Sequence, residues 1–301
     1  MKKKILITGS NGLLGQKLVQ LLIKQGDIDL IATAKGPNRL ASSSGYTYVS
    51  LDITQEKEVM DIFQAYQPDV LIHTAAMTNV DTCEVDPTGC ELLNVTAVRY
   101  LIQACEAHDT FMCHLSTDFI FDGANGPYDE EAQPNPISIY GESKLAAEKL
   151  LQESSIRWAI ARTVLVFGIV QDMSRTNIIL WVKKSLEEGK SIQVVTDQFR
   201  TPTLAEDLAI GCWLIAQKEA EGVFNISGSD FLTPYEMAIK TANFFTLPIE
   251  LIKKADSSTF QQAAKRPPRT GFVLDKAKKI LGYQPRSFDE GIAIVAEQIR
   301  A

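Results

Sequence analysis

The chain has 301 residues, of which 45% are hydrophobic and 22% are charged, and its formal net charge is −7. This length allows one large α/β domain or a nucleotide-binding domain with a smaller second lobe, and the apolar fraction excludes wholesale disorder. The negative charge argues against a nucleic-acid surface, where a basic face is expected, and no stretch has the length of a membrane span.

The cysteines and histidines restrict the class of protein further. The five cysteines are odd in number and scattered, without a C-x-x-C pair, and the three histidines lack metal-ligand spacing. The N-terminus shows no signal-peptide pattern. We therefore expect free thiols, a cytoplasmic location and no metal site.

The chain opens with a strand, a glycine turn and a helix. Residues 5–7 are an apolar run typical of a buried parallel strand, and leucines from position 14 onward follow one helix face. Glycines permit a tight turn with close backbone approach, and a helix N-terminus offers N–H groups to a pyrophosphate. We predict dinucleotide binding here, with a plain loop-closing turn as the alternative. The predicted contacts are Gly9, Ser10, Asn11, Gly12, Leu13 and Leu14.

Strands and helices then alternate through the first half of the chain. We predict strands at residues 29–33, 46–51, 70–72, 111–116 and 158–166, and helices at 55–66, 88–107 and 139–153. This alternation predicts an α/β fold of the Rossmann type, a doubly wound parallel sheet with helices on both faces. Prolines divide the later sequence into shorter elements. We expect an NAD(P)-binding domain at 1–166 and a smaller C-terminal substrate-binding lobe at 167–301, interdigitated with the first.

The residues after the second strand bear on which dinucleotide binds. In NAD-binding units an acidic residue roughly 20 positions past the glycines holds the ribose, but residues 33–36 contain no carboxylate. Lys35 or Arg39 could neutralise a 2′-phosphate, which favours NADPH and leaves NADH open; Lys35 could equally be a solvated loop lysine. Asp52 and Ile53 end the third strand, where this architecture holds adenine, although an Asp there also suits a helix cap.

Tyr140 and Lys144 form the second strong pattern. They are spaced i and i+4, so one helix face carries both. A phenol with a pKa of about 10 is a poor acid near neutral pH, and a neighbouring ammonium lowers that pKa by stabilising the phenolate. A Tyr-x-x-x-Lys pair also arises by chance, but downstream of the glycine turn it indicates a catalytic pair.

Several motifs together resemble one family. The chain is similar to extended short-chain dehydrogenases/reductases and, within them, to the dTDP-4-dehydrorhamnose reductase family. The matching segments are TGSNGLLG (8–15), LDIT (51–54), HTAAMTNVDTCEVDP (73–87), NVTA (94–97), LSTDFIFDG (115–123), YGESKLAAE (140–148), DQFRTPTLAEDLA (197–209) and the late Arg266-Pro267.

The resemblance implies a reductase that acts on a nucleotide sugar. Thr117 would hydrogen-bond the substrate oxygen, Tyr140 would deliver the proton, and Lys144 would hold the nicotinamide ribose and lower the Tyr140 pKa. Ser116 is the alternative for the hydroxyl role. Hydride would come from NADPH, with NADH open. A homodimer is compatible with the resemblance, whereas nucleic-acid and membrane partners are not expected.

Further site residues follow from the resemblance. Cofactor contacts are implied at Ala75, Ala76, Thr78 and Asn94, besides Lys35, Asp52, Ile53, Tyr140 and Lys144. Substrate contacts are implied at Thr117, Asp118, Phe119, Gln198, Arg200 and Arg266. Asn94 would support the lysine through water, or it makes an N-cap or a buried polar contact. The Arg200 fork suits a diphosphate, but it could be a solvated loop arginine, and Asp118 could cap a turn rather than bind sugar.

Departures from the family leave other functions open. Many members carry Tyr where Phe119 stands, and some carry an acidic residue, tied to a metal-bridged dimer, where Lys17 stands, so no metal is predicted. An epimerase or dehydratase of the same fold is one alternative, although related dehydratases have Glu at the Phe119 position. A non-catalytic regulatory subunit that keeps the fold and the cofactor is the other.

Overall fold

The computed structural model describes residues 2–40, 44–172 and 176–300. Its strands in chain order are β1 Lys3–Thr8, β2 Ile28–Ala34, β3 Thr47–Ser50, β4 Val70–His73, β5 Phe111–Thr117, β6 Trp158–Thr163, β7 Val166–Phe167, β8 Ile192–Val195, β9 Thr203–Leu204, β10 Gly222–Asn225 and β11 Ile252–Ala255. Seven of them form one parallel sheet in the order β10-β6-β5-β4-β1-β2-β3. This confirms the predicted Rossmann-type sheet.

Helices cover both faces of this sheet. They are α1 Leu13–Leu22, α2 Glu56–Tyr66, α3 Val80–Val85, α4 Pro87–Glu91, α5 Ala97–His108, α6 Ile139–Gln152, α7 Ile178–Glu187, α8 Ala205–Lys218, α9 Pro234–Phe244 and α10 Phe288–Arg300. Helices α1 and α8 share one apolar cluster with the odd-numbered residues of β1, such as Ile5 and Ile7. Helices α2, α5 and α6 share another with Leu6 from the opposite face. Successive side chains of β1 therefore pack into two hydrophobic layers, one on each face of the sheet.

The helix predicted at 88–107 is interrupted. Helix α4 ends at Glu91, a π-helical turn spans Leu92–Thr96, and α5 begins at Ala97. A π turn holds one extra residue, which a sequence period of 3.6 does not reveal, and such turns are frequent at functional sites. Asn94 lies in this turn and is buried.

The strand predicted at 158–166 is shorter than expected. Strand β6 ends at Thr163, and Leu165 adopts a positive φ of 36°. The chain therefore leaves the sheet, and β7 pairs with β9 in a separate two-stranded sheet. The prediction was wrong here because an apolar run does not show where a strand bends away from its neighbours.

Residues after 166 build the remaining lobe and also complete the main sheet. Helices α7 and α9 pack with strands β8 and β11 around a core of their own. In contrast, β10 pairs with β6, and α8 packs against α1. Segments from both sides of residue 166 therefore share the main core, and the division at 166/167 stays a prediction.

Lys17 fastens the C-terminal helix to this core. Its side chain is buried on α1, and its Nζ lies 2.8 Å from Glu206 Oε1 on α8 and 3.3 Å from Gln298 Oε1 on α10. Gln298 in turn donates to Glu206. Lys17 thus neutralises an acidic residue of its own chain.

The structure also bears on the expectations of free thiols and of no membrane span. All five cysteines are free thiols and buried. Among the residues that the structure describes, no helix has the length and apolarity needed to cross a membrane.

Candidate active site

The glycine turn lies at the carboxyl end of β1. Gly9 has a φ of +76°, and a Cβ on it would come within 2.7 Å of the Ala75 backbone nitrogen. A Cβ on Gly15 would come within 2.2 Å of the Gly9 oxygen. Only glycine fits either position, and the turn consequently packs closely between α1 and the segment after β4.

The turn has the properties of a dinucleotide cradle. Gly12 caps α1 without any side-chain hydrogen bond, so the first N–H groups of the ten-residue helix have no side-chain acceptor there. The hydroxyl of Ser10 is buried and has no hydrogen-bond partner within the described ranges. Leu13 and Leu14 form the first turn of the helix and are half-buried. Unsatisfied donors at a helix N-terminus suit a pyrophosphate.

The loop after β2 is tied to this turn. The Asn11 side chain accepts from the Arg39 backbone N–H at 2.9 Å and donates to the Pro37 oxygen. Lys35 is exposed and forms a 2.7 Å ion pair with Asp52. This hydrogen bond raises the pKa of Lys35. Lys35 thus stands beside the predicted cofactor residue Asp52 as a solvated side chain.

Asp52 also closes a local turn. Its Oδ1 accepts from the backbone N–H and the hydroxyl of Thr54. Burial opposes ionisation of Asp52, but the bonds to Lys35 and Thr54 together lower its pKa. The next residue, Ile53, is 5% exposed and packs in the core beside α2.

Asn94 holds the segment after β4. Its Oδ1 accepts from the Met77 backbone N–H at 2.8 Å, and its Nδ2 donates to the Met77 oxygen and to Ser143 Oγ. Ala75 and Ala76 on this segment are half-buried, and Thr78 is exposed. Asn94 therefore makes the buried polar contact that the sequence analysis gave as an alternative, because its bonds connect it to the loop and to helix α6 rather than to Lys144.

Thr117 and Tyr140 meet at the centre of the site. Thr117 ends β5, Tyr140 lies in the first turn of α6, and both are buried. Burial raises the pKa of Tyr140, and a hydrogen bond with Thr117 partly offsets this rise. The hydroxyl of Ser116 is buried and has no partner in the described part of the chain. Of the two candidate hydroxyls, Thr117 is the one that contacts the phenol.

Lys144 lies one helical turn after Tyr140 and is 3% exposed. Burial lowers its pKa to about 8. Its Nζ lies 3.1 Å from His114 Nε2 on β5, a contact that the sequence analysis missed. The expectation that Lys144 lowers the Tyr140 pKa is wrong, because burial of the phenol raises that pKa.

Strand alternation could have revealed His114. Met112 on β5 packs into the cluster that contains helices α5 and α6. His114 has the same parity and therefore faces α6, which carries the Tyr-x-x-x-Lys pair.

Asp118 and Phe119 extend the site toward the C-terminal lobe. Asp118 is buried, accepts from Thr117 Oγ1 at 3.1 Å and is also hydrogen-bonded by Thr270. Burial raises its pKa, an effect that the Arg200 charge partly offsets. The Phe119 ring lies edge-on to Tyr140, with centroids 5.8 Å apart.

Arg200 is buried and is therefore not the solvated loop arginine that was considered as an alternative. It is 5% exposed, and its guanidinium donates to the backbone oxygens of Phe199, Pro267 and Pro268. Gln198 Oε1 accepts a longer contact of 3.5 Å. Arg200 therefore holds the late proline segment over Asp118, and its diphosphate role stays a prediction.

Arg266 is paired across the site. Its guanidinium reaches both carboxylate oxygens of Asp81 on α3, at 2.8 and 2.5 Å. This pairing lowers the pKa of Asp81 to about 2. Asp81 also accepts from the Ala264 backbone N–H. The structure thus places Arg266 at the rim of the site, bound to protein.

Comparison with known proteins identifies the family of this chain. The family described as RmlD substrate binding domain matches residues 2–301. The chain belongs to this family. A dTDP-4-dehydrorhamnose reductase from Aggregatibacter actinomycetemcomitans is 29% identical over 96% of this chain and 97% of its own length.

Two further relatives differ in what their names describe. A solved dTDP-4-dehydrorhamnose reductase from Bacillus anthracis, in complex with NADP, has a TM-score of 0.86 and 26% identity, covering 99% of this chain and 100% of its own. Methionine adenosyltransferase 2 subunit beta from Bos taurus is 30% identical over 95% of this chain and 84% of its own length. The family therefore includes both reductases and a subunit of another enzyme.

Proposed function

We propose that this chain reduces the 4-keto group of dTDP-4-dehydro-6-deoxy-L-mannose (dTDP-4-dehydrorhamnose) to dTDP-L-rhamnose, using a reduced nicotinamide dinucleotide. The observation that carries the proposal is the contact between Thr117 and the Tyr140 phenol at the carboxyl end of β5, with Lys144 buried one helical turn further along α6. The reductase relatives with full-length coverage support it.

Each residue has a defined task in this reaction. The buried phenol of Tyr140 stays protonated at neutral pH, because its pKa is raised, and gives its proton to the ketone oxygen. Thr117 hydrogen-bonds the same oxygen. The Lys144 ammonium binds the ribose of the nicotinamide dinucleotide. When bound, the dinucleotide supplies the hydride.

NADPH is the proposed dinucleotide, with NADH as the alternative. Lys35 is paired with the predicted adenine-binding residue Asp52, and the similar Bacillus anthracis reductase is described as a complex with NADP. The five buried thiols fit a reducing compartment, so the proposed location is the cytoplasm.

The alternative function of a dehydratase has less support in the site. Elimination needs an acid–base group at the strand end, and Phe119 supplies none. Asp118, the carboxylate nearest to this point, is bound to Thr117 and Thr270 and lies 3.8 Å from the Arg200 Nε. These contacts support a binding or structural task for it.

A spectrophotometric screen tests the proposal. The chain is mixed with NADPH or NADH and a series of 4-keto nucleotide sugars, and absorbance of the reduced dinucleotide is followed. We expect oxidation with dTDP-4-dehydrorhamnose and less with the UDP- and GDP-linked analogues. Dinucleotide binding without turnover of any keto sugar would contradict the reductase proposal.

A non-catalytic subunit is the second candidate function, favoured by the 30% identity to methionine adenosyltransferase 2 subunit beta. In that case the chain binds dinucleotide, turns over no keto sugar, and changes the kinetics of a methionine adenosyltransferase to which it is added. The same screen, followed by that addition, separates the two functions.

A further inference from the structure

A row of polar side chains crosses the sheet beneath the active site. Thr8, His73 and His114 lie on the adjacent strands β1, β4 and β5, because the strand register pairs Thr8 with His73 and His73 with His114. All three are at most 1% exposed. Polar side chains are unusual in the core of a parallel sheet, where apolar residues are the rule.

The row joins the glycine turn to the catalytic lysine. Thr8 Oγ1, directly before Gly9, lies 2.6 Å from His73 Nδ1. The rings of His73 and His114 lie with centroids 5.2 Å apart. At the other end, His114 Nε2 lies 3.1 Å from Lys144 Nζ.

Both histidines are neutral at working pH. Burial lowers the pKa of His73 to about 3 and that of His114 well below its usual range, and the Lys144 charge adds to both effects. An ammonium can only donate, so His114 Nε2 accepts and its ring proton lies on Nδ1. That Nδ1, like Nε2 of His73, has no hydrogen-bond partner among the described residues.

An unpartnered polar atom in a core lowers the stability of the fold, so a buried histidine is expected to have a specific role. The contact with Lys144 provides one. Asn94, implied as the support of this lysine, is instead occupied with Met77 and Ser143.

We propose that His114 is the positioning residue of Lys144: its Nε2 accepts a hydrogen bond from the ammonium and so holds the Lys144 side chain against β5. The inference rests on the function proposed above, because it assigns Lys144 to the reaction. Thr8 and His73 complete the row on the neighbouring strands without a hydrogen bond to Lys144.

This arrangement has a measurable electrostatic consequence. A hydrogen bond accepted from an ammonium favours the charged form, so His114 opposes the effect of burial on Lys144. Within the described residues, Lys144 also interacts with the charges of Glu148 on its own helix, Cys90 on α4 and His73 on β4. Glu148 is itself paired with Arg162 on β6. Glu148 and Cys90 also favour the ammonium.

Three variants test the proposal. His114→Leu removes the acceptor, His114→Gln keeps an acceptor oxygen, and His73→Leu is the matched control, since His73 is equally buried but does not bond Lys144. The midpoint of the Lys144 ammonium titration is measured by ¹⁵N NMR of lysine-labelled protein. The pH dependence of NADP binding is measured by fluorescence. If His114→Leu fails to fold, His114→Met takes its place with the same expectation.

We expect His114→Leu to lower the Lys144 midpoint by about one pH unit, with the alkaline loss of NADP binding shifted equally. His114→Gln should return most of this shift, and His73→Leu should leave the midpoint in place. An unshifted midpoint in His114→Leu, or an equal shift in His73→Leu, overturns the proposal. Failure of the reductase function is distinguishable, because it shows as absent keto-sugar turnover, whereas the NMR midpoint needs no substrate.

Discussion

Arg266 and Asp81 form a two-pronged ion pair that joins the C-terminal lobe to the helix beside the active site. They are separated by 185 positions in the sequence. Both ends border the site, since Cys83 of α3, the helix that carries Asp81, packs with Tyr140, and Arg266 directly precedes the prolines that Arg200 holds. The pair therefore ties the late segment into place.

The pair yields a prediction that separates a tether from a direct ligand. If Arg266 acts through Asp81, Arg266→Gln and Asp81→Asn should each raise the KM for the nucleotide sugar about threefold to tenfold, with the double variant no worse than either. The NADPH KM should stay unchanged. Steady-state kinetics on the three variants measure this, and a large effect confined to Arg266→Gln would identify a direct substrate contact instead.

The sequence predicted the elements that local pattern determines. Three patterns are each contained within a few consecutive residues: the apolar run at residues 5–7, the glycine turn and the Tyr140–Lys144 spacing. The structure has a strand, a turn before a helix, and a helix at these places. The parallel sheet follows from the alternation of strands and helices.

Long-range partners could not be predicted in the same way. The sequence shows that Arg200 and Arg266 carry planar cationic forks, but not that backbone oxygens and Asp81 would occupy them. The π turn around Asn94 and the end of β6 at Thr163 also depend on packing rather than on periodicity. Tertiary context decided each of these features.

The buried ammonium of Lys144 predicts an alkaline limit on activity. Burial disfavours the charged form and lowers its pKa to about 8, so the ammonium is lost as pH rises through that value. The phenol titrates at higher pH because burial raises its pKa. We expect kcat/KM to fall above about pH 8, measured as a pH–rate profile.

Lys144→Arg provides the control for this limit. A guanidinium keeps its charge throughout the range, so whatever activity remains should lose the limb near pH 8. Persistence of that limb in Lys144→Arg would assign it to another group.

Lys35 should govern the choice between the two reduced dinucleotides. Lys35→Ala removes a cation and leaves the Asp52 carboxylate unpaired, which should raise the NADPH KM about tenfold and the NADH KM much less. Lys57→Ala is the matched control, because Lys57 is an exposed lysine paired with Asp61 elsewhere on the surface. Equal changes for both dinucleotides in Lys35→Ala would show that Lys35 is only a surface residue.

Lys17 should be important for stability. Lys17→Ala leaves Glu206 without its cation, and since Glu206 is 24% exposed we expect a loss of about 2 kcal/mol in the free energy of unfolding. Lys240→Ala, which breaks a more exposed pair with Asp289, should cost about 0.5 kcal/mol or less. Urea unfolding measures both, and similar losses in the two variants would contradict the structural role of Lys17.

The most direct test of the account is the turnover of Tyr140→Phe with NADPH and dTDP-4-dehydrorhamnose. The variant lacks the proton donor but keeps the ring against Phe119. Tyr283→Phe is the control, because the Tyr283 hydroxyl donates to the Ser227 oxygen away from Tyr140 and its loss should leave turnover unchanged. We expect a fall of about 10²-fold or more in kcat for Tyr140→Phe, and near-wild-type turnover would contradict the role of Tyr140 as the proton donor.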